Sequence, residues 1–410
     1  MYSEKCSCCG GTLHDLSDDK DEIWEDIYSQ IAHQLLDDSG VAINTDLYFK
    51  TAGDLIAAIS KGLGRSSFSY DDDRNRLAAA LKQNLYAFSS AKSFVQMIQY
   101  RDMMVGADGK ILNADQFKKV IADQGELFNE AHLKAEHQQA LQSAIMADKW
   151  QNLDTEYLEY STVNDGRVRP EHQALDKFTA AKDDPVWHRI YPPLAWNCRC
   201  TVIPGKEQNN EKKMTSIEAS SMIKPFTKDT IFDNNVGLSK LIFDDNHPYF
   251  QEAKGKIQNL SWEQYGLPSL DKIRANEEFL PTTKEEYLSW WDKQKKIKGD
   301  DIAIKDALND EILLSSGEGK KSINDYYKQH VIKKSSENRF EYATETANVL
   351  KSPDEIWNNQ QGRVYLKYYE NGTLKLIVND KLEAETIFKL YDKDSGELKK
   401  ARKGTLLYKK

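Results

Sequence analysis

From Asp21 to about Trp150, apolar residues return every third or fourth position. Ile23, Trp24, Ile27, Ile31 and Leu35 trace one stripe, and Leu55, Ile56 and Ile59 trace another. Phe128, His132, Leu133, His137 and Leu141 form a third. This spacing predicts amphipathic helices. His132 and His137 are five residues apart, not the four that set two ligands on adjacent turns, and read as polar-face residues. The pattern breaks near Tyr157. From there to Pro204, Gly, Pro, Asp and aromatic residues replace it, predicting a loop-rich segment closed by a short strand at Thr201-Val202-Ile203-Pro204. Lys206 to Lys213 is polar and charged, as a linker is. Onward to about Asp300, turn signals such as Phe232 to Gly237 and His247 to Phe250 predict an irregular connecting region with a few helices.

Past Lys320 the period changes. Tyr342 to Leu350 reads as helix, and Ser352-Pro353-Asp354-Glu355 fits a capped helix start with Pro in the first position. Val364 to Tyr369 and Thr373 to Val378 then alternate as strands about Asn371-Gly372, a strong hairpin signal. Further strands are expected at Thr386 to Tyr391 and Gly404 to Tyr408. The fold class that follows is multidomain. A mainly α N-terminal region leads to a loop-rich Cys/His segment, and a small α+β module with an antiparallel sheet closes the chain. The expected boundaries are 1–150, 151–205, 206–319 and 320–410.

Composition narrows the classes. At 410 residues with 30% charged positions, the chain has room for two or three domains and is too polar for a membrane protein. No run approaches the roughly 18 apolar residues of a span. Met1 to Lys20 lacks the basic segment and apolar core of a secretory signal, which argues against Sec export, although delivery inside a particle needs no such signal. Five cysteines, an odd count, argue against a disulfide framework. Cys6, Cys8 and Cys9, with His14 nearby, read either as half a zinc knuckle or as exposed thiols. Charge is uneven. Lys321 to Lys410 holds 18 Lys and Arg against 13 Asp and Glu, a balance of +5, whereas the chain as a whole carries −9. A basic end on an acidic body points to a polyanion, or to a solvated lysine-rich surface.

The least generic stretch runs from Asp165-Gly166-Arg167-Val168-Arg169-Pro170-Glu171-His172 to Tyr191-Pro192-Pro193 and Trp196-Asn197-Cys198-Arg199-Cys200-Thr201. His172, Cys198 and Cys200 are borderline-soft ligands suited to zinc, with His188 or Asp165 as a fourth. The alternative is a buried thiol pair, with His172 bonded to an acid such as Asp176 and Arg167 and Arg169 clamping the acids. The arrangement is similar to the Mu-F-like phage head morphogenesis family, minor head proteins of tailed phages and prophages, over roughly Glu159 to Pro204. The resemblance implies a protein placed near the portal in few copies, with a role in head assembly or DNA passage and no catalysis in this domain. Members often carry Gly after the Leu-Asp pair, where Lys177 stands here. Many also carry an upstream Cys-x-x-Cys completing a metal cluster, where this chain has Ser161-Thr162-Val163-Asn164.

The end of the chain resembles the phage-associated barnase, EndoU, colicin E5/D and RelE-like nucleases. Tyr327 to His330, Leu350 to Trp357, the Asn371-Gly372 hairpin and Lys403 to Tyr408 carry that resemblance. Metal-free RNA cleavage needs a base, a cation for the phosphorane charge and an acid. His330, the module's single histidine, is the candidate base. Lys328, Arg363 and Arg402 are candidate cations, and Thr386 and Tyr391 candidate phosphate contacts. Each has a plain alternative: an exposed helix residue for His330, a pair with Glu370 for Arg363, core for Tyr391 and a solubilising edge for Arg402. The leading expectation is a virion-associated minor head protein carrying an RNase-type effector that needs no cofactor for catalysis. Partnership with portal and capsid proteins, contact with RNA or DNA, an immunity protein, action in a host cytoplasm and no membrane association complete it, while structural zinc at the Cys/His segment stays open, weakened by the missing upstream cysteine pair. Competing readings are a purely structural capsid protein and a zinc-stabilised interaction protein.

Overall fold

The computed structural model describes residues 18–37, 42–64, 73–207, 214–254, 260–269, 272–273, 275–317, 327–333, 337–391 and 396–410. Cys6, Cys8, Cys9 and His14 lie outside them. The described chain opens with α1 (Asp18–Asp37), α2 (Thr45–Gly62), α3 (Asp73–Asp102), α4 (Ala114–Gly125) and α5 (Leu133–Asn152). Asn44 starts α2 by accepting from the amides of Asp46 and Leu47, which satisfies two otherwise orphaned donors. Gly62 lets α2 approach α5, since a Cβ there would meet the Ala144 Cβ at 2.7 Å. Ile27, Ile31 and Leu35 are buried as their spacing predicts, with Met97, Tyr100 and Phe117 opposite them. Ile23 from the same stripe is 46% exposed. Helix α3 is buried on most of its surface because it has packing partners on more than one side, so its apolar pattern is not one clean stripe.

After α5 come β1 (Tyr157–Ser161), β2 (Thr179–Ala181) and β3 (Thr201–Pro204), an antiparallel sheet in the order β2-β1-β3. The connecting region contains helices Ser216–Thr227 and Lys284–Lys293, each opened by a Thr/Glu capping box. It also contains three strands that the sequence reading left out: β4 (Lys296–Lys298), β5 (Asp301–Lys305) and β6 (Glu311–Leu314). Their apolar residues alternate over too few positions, among Lys and Asp, to stand out.

The C-terminal sheet has β7 (Glu355–Asn359), β8 (Gly362–Tyr369), β9 (Gly372–Val378), β10 (Ala384–Leu390) and β11 (Thr405–Lys409), in the order β10-β9-β8-β7-β11 with every pair antiparallel. The expected helix start at Ser352 to Glu355 is a correction: Glu355 opens β7. Asp354 is held to strands instead, its amide donating to the Leu366 carbonyl and its carboxylate accepting from the Tyr368 amide at 2.7 Å.

Register sorts the sheet's two faces. Ile356, Tyr365, Leu376 and Ile387 stand in one cross-strand row and pack with Tyr287, Trp291, Ile302, Ile304 and Tyr327. Trp357, Val364 and Leu406 stand on the other face, in the same core as Tyr48, Leu81 and Tyr265. The Tyr48 hydroxyl donates to the Leu406 carbonyl, and Lys82 of α3 pairs with Asp310 at 2.7 Å. Each large side chain so buried contributes about 1.5–3 kcal/mol. A fragment of residues 320–410 would therefore lose Tyr287, Trp291, Ile302 and Ile304 from one face of its sheet and Tyr48, Leu81 and Tyr265 from the other. No helix of the described residues is long and apolar enough to cross a membrane.

Candidate functional site

Edge strand β10 and the segments beside it assemble one polar cluster. Thr386 lies on β10, and its Oγ1 is 3.1 Å from His330 Nε2, brought by helix Tyr327–Lys333. Arg339, 3% exposed, places Nη1 2.6 Å from the same nitrogen and also donates to Thr386 Oγ1. Its Nε and Nη2 donate to Glu337 at 2.8 and 2.5 Å, and its guanidinium lies 4.4 Å from the Phe388 ring centroid. Lys375, directly across from Phe388 on β9, is buried beside that ring and 3.5 Å from Glu397. Burial pulls the Lys375 ammonium below the usual lysine range.

The donor inventory fixes the imidazole. A guanidinium only donates, so His330 Nε2 must accept. The tautomer that meets this contact has the lone pair on Nε2 and the ring proton on Nδ1. A cation, a hydroxyl and a lone-pair imidazole nitrogen at one point are what base-assisted phosphodiester chemistry uses.

His330 and Thr386, both expected from sequence, are brought together. The others are engaged elsewhere. Lys328 pairs with Asp300 at 2.5 Å over the Trp291 ring. Arg363 is buried between Asp306 and Asp310, at 3.1 and 3.0 Å, and not with Glu370. Arg402, fully buried, makes a two-pronged pair with Glu355, both contacts 2.8 Å, so it is no solubilising edge. Tyr391 is 76% exposed, under Lys389, and so is not core. Sequence reasoning missed Arg339, Lys375 and Phe388. Arg339 has an ordinary surface-like neighbourhood in sequence, and only the fold buries it.

The second cluster is in the Cys/His segment. His172 Nδ1 lies 3.8 Å from Cys198 Sγ and 3.7 Å from Cys200 Sγ, with all three residues buried. The three ligand atoms fall within 4.8 Å of one another, and the group could hold a metal ion. Tetrahedral zinc with bonds of about 2.0–2.3 Å sets N and S ligands roughly 3.5–3.8 Å apart, so the spacing fits. The Cys198 thiol is held well below its usual range, chiefly by the hydrogen bond from Cys200 with His172 assisting, while that same bond and burial push Cys200 up.

Neither expected fourth ligand joins these three. His188 is exposed on the short helix Trp187–Ile190. Asp165 is taken by Arg199 through two contacts of 2.7 Å, which hold its carboxyl well below the usual range. Asp176 accepts from the Thr162 amide and hydroxyl, so His172 turns to the sulfurs rather than to an acid. Arg169 donates to the Trp196 carbonyl rather than to an acid, although Arg167 does approach Asp165 at 3.6 Å. Lys177 adopts φ +66°, a left-handed conformation that a glycine takes without steric cost.

Comparison with known proteins finds two separate family matches. Residues 54–203 match the family described as Phage Mu protein F like protein. Residues 289–409 match the family described as phage-Barnase-EndoU-ColicinE5/D-RelE like nuclease2. Among curated proteins, the chain is 42% identical over 64 residues to the Mu-like prophage FluMu F protein of Haemophilus influenzae, covering 15% of this chain and 16% of that protein. It is 50% identical over 46 residues to the putative capsid assembly protein F of Escherichia phage Mu, covering 11% and 10%. The matched segments thus span less than a fifth of either relative. No solved structure matches the chain.

Proposed function

We propose, for a chain that joins a Phage Mu protein F like region to a nuclease-like domain, that it is a minor head protein carrying a metal-independent endoribonuclease effector. In this reading the N-terminal part docks with portal and capsid proteins and serves head morphogenesis and DNA packaging or ejection. The protein is virion-associated and its effector acts in a host cytoplasm, where an immunity protein neutralises it. His172, Cys198 and Cys200 hold a structural zinc ion, whose chemistry is to cross-link the loop-rich segment. The C-terminal domain takes its core from about Phe279 onward, so the domain extends beyond residues 320–410.

The observation that carries the nuclease reading is the contact of Arg339 and Thr386 with His330 Nε2. A substrate phosphate competes for the guanidinium, since charge-assisted bonds to phosphate are stronger than bonds to a neutral nitrogen. Nε2 is then free to take the 2′-hydroxyl proton, Arg339 faces the phosphorane charge, and solvent protonates the leaving 5′ oxygen. Arg363 and Arg402 hold the sheet together in this proposal and do not touch substrate.

The full chain, incubated with labelled RNA in the presence of a chelator, is expected to cleave it. His330→Ala should lower the rate by about 10²–10⁴-fold, the usual contribution of a general base. A folded wild-type chain that leaves RNA intact ends the nuclease reading. It would favour the second one, a structural capsid protein in which the contacts of Arg339 and Thr386 with Nε2 merely complete a buried polar cluster.

A further inference from the structure

We infer that Tyr160 is the fourth ligand of the metal centre formed by His172, Cys198 and Cys200, giving a closed site of two thiolates, an imidazole and a phenolate. This rests on the reading of those three residues as metal ligands.

Tyr160 projects from β1, directly across from Val202 of β3, the strand that follows Cys200. Its side chain is fully buried, and its hydroxyl lies against Cys200 and Cys198. Its nearest polar neighbour is the Cys200 thiol, yet no hydrogen bond of acceptable geometry joins the two. An unpaired buried hydroxyl costs roughly 1–3 kcal/mol, a cost the fold would avoid unless something else met the oxygen. The acids near the cluster are already satisfied: Asp176 by Thr162, and Asp165 by Arg199. This oxygen thus borders the same small space as two sulfurs and a nitrogen that lie within 4.8 Å of one another. Structural zinc sites take four protein ligands and leave no place for water. Three donors leave one position vacant, and burial keeps bulk water from filling it. The Tyr160 hydroxyl is the buried oxygen beside the two cysteines that would take that position.

The test uses the full-length chain with Zn2+ and Co2+ as probes, and Tyr160→Phe, Cys198→Ala and wild type in parallel. Metal content comes from elemental analysis, affinity from chelator competition, and coordination from the visible ligand-field bands of the Co2+ form. Wild type is expected to bind one metal ion at this site, with the intense bands of a four-coordinate ion. Tyr160→Phe keeps the aromatic packing, so its unfolding without metal should match wild type. Its affinity should fall more than about 100-fold, because loss of a mere outer-shell partner already costs 10–100-fold, and its Co2+ bands should weaken. Unchanged affinity and bands in Tyr160→Phe would overturn the assignment of Tyr160 while leaving the three-ligand reading intact. A wild-type chain that binds no metal overturns both. So does metal retained in full by Cys198→Ala, which would place the ion on other cysteines.

Discussion

The interior of the C-terminal sheet and its β10 edge each bury an arginine, and the two arginines keep different company. Arg363 sits 5% exposed between Asp306 and Asp310, which Lys82 and Tyr365 also meet. Burial pushes the Asp306 carboxyl up, Asp310 pushes it further, and Arg363 opposes both. Arg339 is buried as deeply, yet its carboxylate partner, Glu337, is 45% exposed, and its remaining N–H faces an imidazole nitrogen and a hydroxyl. A guanidinium fully matched by buried carboxylates has no charge left to offer a ligand. One held by an exposed acid on one side and by a lone pair on the other can exchange partners when a stronger anion arrives. Burial alone does not separate a structural arginine from a functional one; the partners do.

The largest effect expected from this contrast is on stability. Arg363→Met leaves Asp306 and Asp310 in the interior with Lys82 as their one cation among the described residues, and should destabilise the C-terminal domain by about 3–5 kcal/mol. Chemical denaturation followed by tryptophan fluorescence would read it, since Trp291 and Trp357 are fully buried in and beside that sheet. Arg339→Lys should do the reverse, keeping the fold and losing function. A lysine keeps the charge but cannot reach Glu337, His330 and Thr386 at once. RNA cleavage should fall by about 10²–10³-fold, as when one preorganised donor is removed from an active site. If Arg339→Lys unfolds the domain as far as Arg363→Met does, the two arginines are equivalent and the distinction fails.

A smaller effect is expected where the carboxylate cluster touches α3. Lys82 donates to Asp310 and to the Leu308 carbonyl, tying the helical region to the β5–β6 turn. Lys82→Met leaves Asp310 with Arg363, so the loss should be about 1.5–3 kcal/mol, the range for a hydrogen bond to a charged group. Faster proteolysis between the two matched regions would be the direct sign that this tie holds them together.

What could be read from sequence divides along the same line. The amphipathic helices were legible because Ile27, Ile31 and Leu35 share one face by spacing alone. Strands β8 and β9 were legible because their alternation flanks a two-residue turn. His172, Cys198 and Cys200 lie within 29 positions and carry unusual residue types, so their convergence was foreseeable. The site at β10 was half legible. His330 stood out as a lone histidine, and Thr386 as a hydroxyl on an edge strand. Arg339 did not, because nothing local shows that residues 330, 339 and 386 meet. Arg363 and Arg402 misled for the converse reason: their acids lie in β7 and in the β5–β6 turn, far off in sequence. Strand β7 was hidden by Pro353-Asp354, a pair that caps helices but here engages β8.

The smallest expected effect isolates backbone from partners. Lys177 is held at φ +66° by the hydrogen bond that its amide donates to the Tyr160 carbonyl, 2.8 Å, and its side chain is exposed. A non-glycine residue in that region costs roughly 1–2 kcal/mol, whereas glycine adopts it freely. Glycine also gives the unfolded chain more freedom, which takes back about 0.4–1 kcal/mol. Lys177→Gly should therefore stabilise the segment by up to about 1.5 kcal/mol, seen as a small rise in the midpoint of its unfolding. The variant leaves His172, Cys198, Cys200 and Tyr160 in place, so metal affinity should not change. A loss of stability would mean that the Lys177 side chain makes a contact worth more than the strain, and that partners outweigh backbone here as they do at Arg363.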